Sequence, residues 1–392
     1  MSSTFGVIGS GRQGTAAGYD LATFQDAALA VMFDADPEVA RQASDRINSL
    51  ARREIACPQQ LDVRDHDTLV AALAPLGVVV CAVPFPLIPA CTRAAIEAHT
   101  GMVDLGGHTD TVLGQLALDE DARTAGIGIV PDCGMGPGLN NTLGMYLIES
   151  LEAAGATPVA VRLYDGGLPV DRSCAWGYRS TFHINGLTNE YDGEALFLRG
   201  GRVTPVATLT EAETLEFIDL GPLEAFVTSG GTSTVPYTLE GRLETYENKT
   251  LRYPGHLAAF RAFRDLGLFS ESPIEINGCP VPPREFYHAL LGPQIAAETV
   301  DDVCVMRAIG TGRREGREVE LQLDLVDRRD PATGFSAMER LTGWHAAIMA
   351  GFIADGTVSP GVHRLERAMP STPFVDAVRQ RGLVIEERWT RV

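Results

Sequence analysis

Lysine is almost absent from this chain. Of its 32 basic residues, Lys249 is the one lysine and the rest are arginine. Asp and Glu number 51, so the formal charge is −19 and the pI is near 4.8. A molecule this poor in positive charge has no electrostatic footprint for nucleic acid and is repelled by anionic lipid. Such acidity fits solubility or salt tolerance, and it is also compatible with a cationic small molecule. Long apolar runs are missing as well. The longest stretch, 73–96, is interrupted by Pro75, Pro84, Pro86 and Pro89, short of the ~20 residues a membrane helix needs. No basic leader precedes an apolar core at the N-terminus, where a strand pattern begins at Phe5. The seven cysteines (57, 81, 91, 133, 174, 279 and 304) are odd in number and contain no CxxC pair and no His/Cys zinc spacing. These absences predict a reducing, cytoplasmic setting with no structural metal, no membrane and no nucleic-acid partner.

What is present is the make-up of a folded protein. Hydrophobic residues are 45% and charged residues 21% of 392, a length that suggests two domains. The run Thr4–Ile8 reads as a strand and ends in Gly9-Ser10-Gly11-Arg12-Gln13-Gly14, after which 15–23 is helix-compatible. This is G-x-G-x-x-G in its strand–turn–helix setting. Gly9 permits the turn, Gly11 lets a pyrophosphate approach, and Gly14 lets helix and strand pack closely, with Arg12 and Gln13 between them. A second strand, 28–33, ends at Asp34, twenty residues past Gly14. A carboxylate there accepts from ribose hydroxyls and repels a 2′-phosphate, so NAD is expected over NADP. Asp36-Pro37 offers a helix cap. Asp62 falls in an adenine-side loop, and Val83 and Pro84, after the buried strand 77–83, should line the nicotinamide ribose. Asp104, His108 and Cys133 all follow strand ends on the cofactor side; for Asp104 a loop-capping role is an equal alternative. Gly134 belongs to a glycine-rich turn that opens a helix over 140–154.

That turn, Cys133-Gly134-Met135-Gly136-Pro137-Gly138-Leu139-Asn140, taken with the N-terminal glycines, resembles the saccharopine dehydrogenase and lysine 6-dehydrogenase family. The segment 178–191, the stretch Thr250-Leu251-Arg252-Tyr253-Pro254-Gly255-His256 and the blocks at 333–343 and 355–362 extend the likeness along nearly the whole chain. The resemblance implies an α/β fold: an N-terminal Rossmann domain (1–135) with a doubly wound parallel sheet, and a mixed α/β substrate and dimerisation domain (136–335). A helix near 336–355 would return to the first domain, and 356–392 would form a C-terminal tail. It also implies a homo-oligomer acting on a small-molecule amino acid. Thr228–Tyr237 has no arginine where saccharopine-binding members carry one, and the YPGH form points the same way. Both favour NAD-dependent oxidative deamination of the lysine side chain. A saccharopine or carboxynorspermidine-type dehydrogenase is the alternative, and a non-catalytic dinucleotide sensor is the reading from another class.

Such chemistry asks for a proton acceptor near the nicotinamide and a clamp on the remote carboxylate. His256, presented by a Pro-Gly turn, is the first choice for the polar role. Tyr178, Arg179 and His183 fall at alternating or near-alternating positions of a strand-like segment, so some of them would share a face. Arg179 and Arg252 are candidate clamps, with surface ion pairing as the alternative. Cys133 would pack its sulfur on the nicotinamide or in the core. Lys249, beside the RYPGH stretch, either supplies a compact ammonium that arginine cannot replace or survives by chance.

Overall fold

The computed structural model describes residues 3–25, 27–180, 184–297 and 299–391. Six strands built from β-branched and apolar runs lie parallel: β1 (Ser3–Ile8), β2 (Ala27–Asp34), β3 (Ala56–Gln60), β4 (Val78–Cys81), β5 (Gly101–Asp104) and β6 (Gly128–Val130). Their spatial order is 3-2-1-4-5-6, and the two-residue strand Gly361–Val362 extends the sheet beyond β6. The order reverses between β1 and β4, so the crevice at their carboxyl ends is the place where such sheets bind ligands. The first helix begins at Arg12, three residues earlier than the periodicity suggests. The second, Pro37–Ala51, is fixed by Asp36, whose side chain accepts from Glu38 N at 2.9 Å, with Pro37 opening the first turn.

The second sheet is mixed. β7 (Thr157–Pro169) runs through its middle; β8 (Glu194–Arg199) and β9 (Arg202–Ala207) form one hairpin, β10 (Glu213–Phe217) and β11 (Gly221–Val227) another. β12 (Thr245–Arg252) lies parallel to β7 and antiparallel to β11. The strands Asp302–Arg314, Arg317–Arg328 and Ile385–Arg391 complete the far side.

Two segments join the sheets. The helix Ala337–Ala354 starts from a Ser336/Glu339 capping box and is buried almost from end to end. It packs on the helix Arg12–Phe24, where a Cβ at Gly343 would stand 2.7 Å from Ala17 N and 2.8 Å from Gln13 O. The stretch after residue 355 is not a separate tail: its first strand joins the parallel sheet and its last joins the mixed one. One apolar cluster, running from Val7, Leu21 and Met32 to Leu143, Leu163, Leu323 and Ile348, spans both halves. No described helix is long and apolar enough to cross a membrane.

Candidate active site

A cavity of about 850 Å3 opens between the two halves. One wall is the crevice of the parallel sheet: Gly11–Gly14, Val83–Pro86 and Gly106-Gly107. The glycines behave as their spacing requires. Gly9 holds φ +90°, and a Cβ on Gly14 would meet the Gly9 carbonyl at 1.9 Å. A Cβ on Gly11 would meet nothing within 4 Å, so the turn leaves room for a pyrophosphate at the helix N-terminus. At the tip of β2, Asp34 accepts from Ser10 N and Asp36 N, each at 3.0 Å. This wall fits a dinucleotide.

The opposite wall comes from β7, β12 and the end of the helix Ile184–Tyr191. Alternation along β12 sends Asn248, Thr250 and Arg252 into the cavity and Lys249 to the other face. Asp165 stands in the apolar run of β7 and is 6% exposed. Asn248 Nδ2 donates to its Oδ2 at 2.9 Å, and that oxygen lies 3.0 Å from where a Cβ of Gly136 would be. The carboxylate therefore abuts the turn that follows β6. Burial pushes Asp165 up to about 6, against the opposing pull of Asn248 and Arg252. Glu190, 3.8 Å from Arg252 Nη2, is pushed up to about 7 by desolvation, with Asp165 adding to the rise and Arg252 opposing it. Two carboxyl groups that titrate near neutrality thus share a cavity wall with one arginine.

Comparison with known proteins agrees with this architecture. Residues 5–130 match the family model of the saccharopine dehydrogenase NADP binding domain, and residues 134–383 that of the saccharopine dehydrogenase C-terminal domain. The chain belongs to the saccharopine dehydrogenase family. A curated relative, saccharopine dehydrogenase (NADP(+), L-glutamate-forming) of Pyricularia oryzae, is 27% identical over 55% of this chain and 48% of its own length. The Saccharomyces cerevisiae protein of that name is 24% identical over 67% of this chain and 60% of its length. The chain spans roughly half the length of these relatives. In fold it follows the apo histidine-tagged saccharopine dehydrogenase (L-Glu forming) from S. cerevisiae, with a TM-score of 0.80 at 18% identity over 99% of this chain and 100% of that one. The homospermidine synthase of Legionella pneumophila gives 0.65 at 10% identity, covering 100% and 92%.

Within this saccharopine dehydrogenase-family scaffold the sequence expectations divide. Gly11, Arg12, Gln13, Gly14, Val83, Pro84, Gly134 and Arg252 line the cavity. Gly9 and Asp34 shape the turn beside it. Asp62 is not among the residues lining the cavity and pairs with Arg64 at 2.7 Å on the surface. Several chemical assignments are corrected. His256 is buried behind Arg252, both ring nitrogens have partners, and burial with the nearby guanidinium lowers its pKa to about 3, so it is no base at neutral pH. Tyr178 is a core residue under the Arg252 guanidinium, 5.2 Å from its ring centroid. Lys249 meets Glu213 at 2.7 Å on the far face of the sheet. Asp104 is fully buried and fastens the loops by accepting from Gly106 N, Asp132 N and Gln115 Nε2. Arg179 donates to the Gln294 carbonyl at 2.8 Å and does not line the cavity. Cys133 is buried, its Sγ directed at the Val130 carbonyl, and burial raises its thiol pKa. His108 stacks on Phe85 with ring centroids 4.4 Å apart. His183 lies outside the described residues. Sequence reasoning passed over Asp165, Glu190 and Asn248, although a lone aspartate in the run Leu163-Tyr164-Asp165-Gly166-Gly167-Leu168 was a usable signal.

Proposed function

We propose that this chain is an NAD-dependent dehydrogenase of a side-chain amine, with L-lysine as its preferred substrate. The observation that carries the reading is the Asp165–Glu190 pair facing the glycine turns across the cavity. An ammonium with a solution pKa near ~10.4 must lose its proton before hydride can leave the adjacent carbon. Carboxylates poised near 6 and 7 attract the cation when ionised and can hold its proton when neutral. The bound nucleotide supplies the hydride acceptor. Overall, amine, NAD+ and water give aldehyde, ammonia, NADH and a proton; with lysine the semialdehyde then cyclises to piperideine-6-carboxylate.

Asp34, followed by Asp36 with no arginine beside it, supports NAD over NADP. The substrate preference rests on charge. Thr228–Gly231 forms part of the cavity wall without an arginine. Arg284 is already paired with Glu271 and Asp192, and Arg12 donates to the carbonyls of Ala297 and Ser180. A saccharopine molecule brings more carboxylates than Arg252 alone can balance. The relatives named above favour that secondary-amine substrate as the second reading.

The test is NADH or NADPH absorbance at alkaline pH with lysine, ornithine, saccharopine and diaminopimelate in turn. Turnover of lysine with NAD is expected. Turnover of saccharopine without lysine selects the second reading, and no turnover with any amine overturns the dehydrogenase assignment.

A further inference from the structure

Arg252 is held from behind by two side chains that do not line the cavity. The Trp176 carbonyl can only accept, so the His256 Nδ1 at 2.9 Å carries the proton and Nε2 presents a lone pair. Tyr191 therefore donates its hydroxyl proton to His256 Nε2 at 2.9 Å. The same hydroxyl oxygen accepts from Arg252 Nε at 2.9 Å, since a guanidinium only donates. Nη1 is turned back to the Leu251 carbonyl at 3.0 Å. Nη2 stands 3.8 Å from Glu190, beyond hydrogen-bond length, on the cavity side. Every direction in this chain of bonds is set, and it ends at the Nη2 edge of a planar donor that is itself buried and lines the cavity.

We propose that Tyr191 and His256 are positioning residues that fix the guanidinium plane of Arg252 so that its Nη2 edge takes the carboxylate of an amino-acid substrate. The identity of that ligand rests on the amine-dehydrogenase reading; the orienting role does not. His256 thus acts through Tyr191 and Arg252, not on the amine. A planar fork gains from being oriented in advance, because less freedom is lost when the anion arrives.

The variants are Tyr191→Phe, His256→Leu and His256→Gln. In Tyr191→Phe the KM for L-lysine rises roughly tenfold, as expected for one lost hydrogen bond to a charged group. Turnover number and the KM for NAD stay near wild type. The KM for 1,5-diaminopentane, which has the primary amines and no carboxylate, does not change. His256→Leu behaves alike, while His256→Gln restores an acceptor for the Tyr191 hydroxyl and recovers most of the loss. Equal rises for lysine and diaminopentane, or a fall confined to turnover number, overturn the proposal. Should the wild type oxidise none of these amines, glutarate binding to the NAD-loaded protein decides by calorimetry. An affinity about tenfold weaker in Tyr191→Phe keeps the positioning role while the reaction assignment falls. Glutarate that fails to bind, or binds both proteins alike, overturns it.

Discussion

Asp165 sits in a strand whose neighbours are mostly apolar, and the cost of holding an ion there raises its pKa from 3.8 to about 6. Between those two values the folded chain binds more protons than the unfolded one. Stability therefore falls as pH rises through that window, and at neutral pH the whole penalty is present. Asp165→Asn is expected to raise the melting temperature at pH 8, with the gain shrinking toward pH 4, while turnover drops a hundredfold or more. Thermal scans and NADH kinetics on one preparation check both halves. A variant both less stable and fully active would remove Asp165 from the chemistry. How far such roles can be read from sequence depends on the side chain's setting. The shape of the glycine turn and the place of Asp34 at the end of β2 were legible because both follow from backbone geometry at a fixed spacing. His256 looked catalytic because a Pro-Gly turn presents it, but which side of Arg252 it occupies depends on Tyr191, distant in sequence.

At the scale of elements, the contact between the helices Arg12–Phe24 and Ala337–Ala354 ties the cofactor turn to the rest of the molecule. Gly343 allows it, because its missing Cβ faces the backbone of Gln13 and Ala17. Gly343→Val would force the helices apart and cost roughly 1–3 kcal/mol of overpacking strain. It should also raise the KM for NAD, since Gln13 belongs to the glycine turn. Denaturant titration with and without NAD measures both effects; unchanged stability would mean the helices can slide freely. Elements with a strong local pattern were legible: the helix from Asp36-Pro37 and the parallel strands came from capping and apolar runs. The stretch from Tyr178 was not. Tyr178 is locally extended, as its pattern suggests, but it follows a short helical turn, Ala175–Gly177, and Ser180 N donates to the Ile295 carbonyl near the end of a helix instead of to a strand. Nor does any local pattern announce that β12 pairs parallel with β7 amid antiparallel neighbours, since that pairing joins segments some eighty residues apart.

At the scale of the whole molecule, the last segment of chain decides how the two halves unfold. It adds a strand to each sheet, and its helix Ser371–Gln380 buries Phe374, Val375 and Val378. It also carries Arg381, which meets Asp20 of the first helix at 2.8 Å with both side chains buried. Neither sheet keeps a complete core without the shared helices. The protein should therefore melt in a single calorimetric transition that NAD shifts as a whole, by about 2.7 kcal/mol when NAD is at a hundred times its dissociation constant. Arg381→Met tests the joint. Asp20 already has its pKa raised to about 6 by burial, against the pull of Arg381. Removing the cation leaves a buried charge without a partner, an expected cost of roughly 3–5 kcal/mol at pH 8. Without the pull of Arg381 the Asp20 pKa climbs above 6, so that deficit should shrink as pH falls toward 6 and level off below it, where Asp20 is protonated in both proteins. If the halves are instead independent, calorimetry will show two transitions, with NAD moving only the one that reports the parallel sheet and Arg381→Met pulling the two apart.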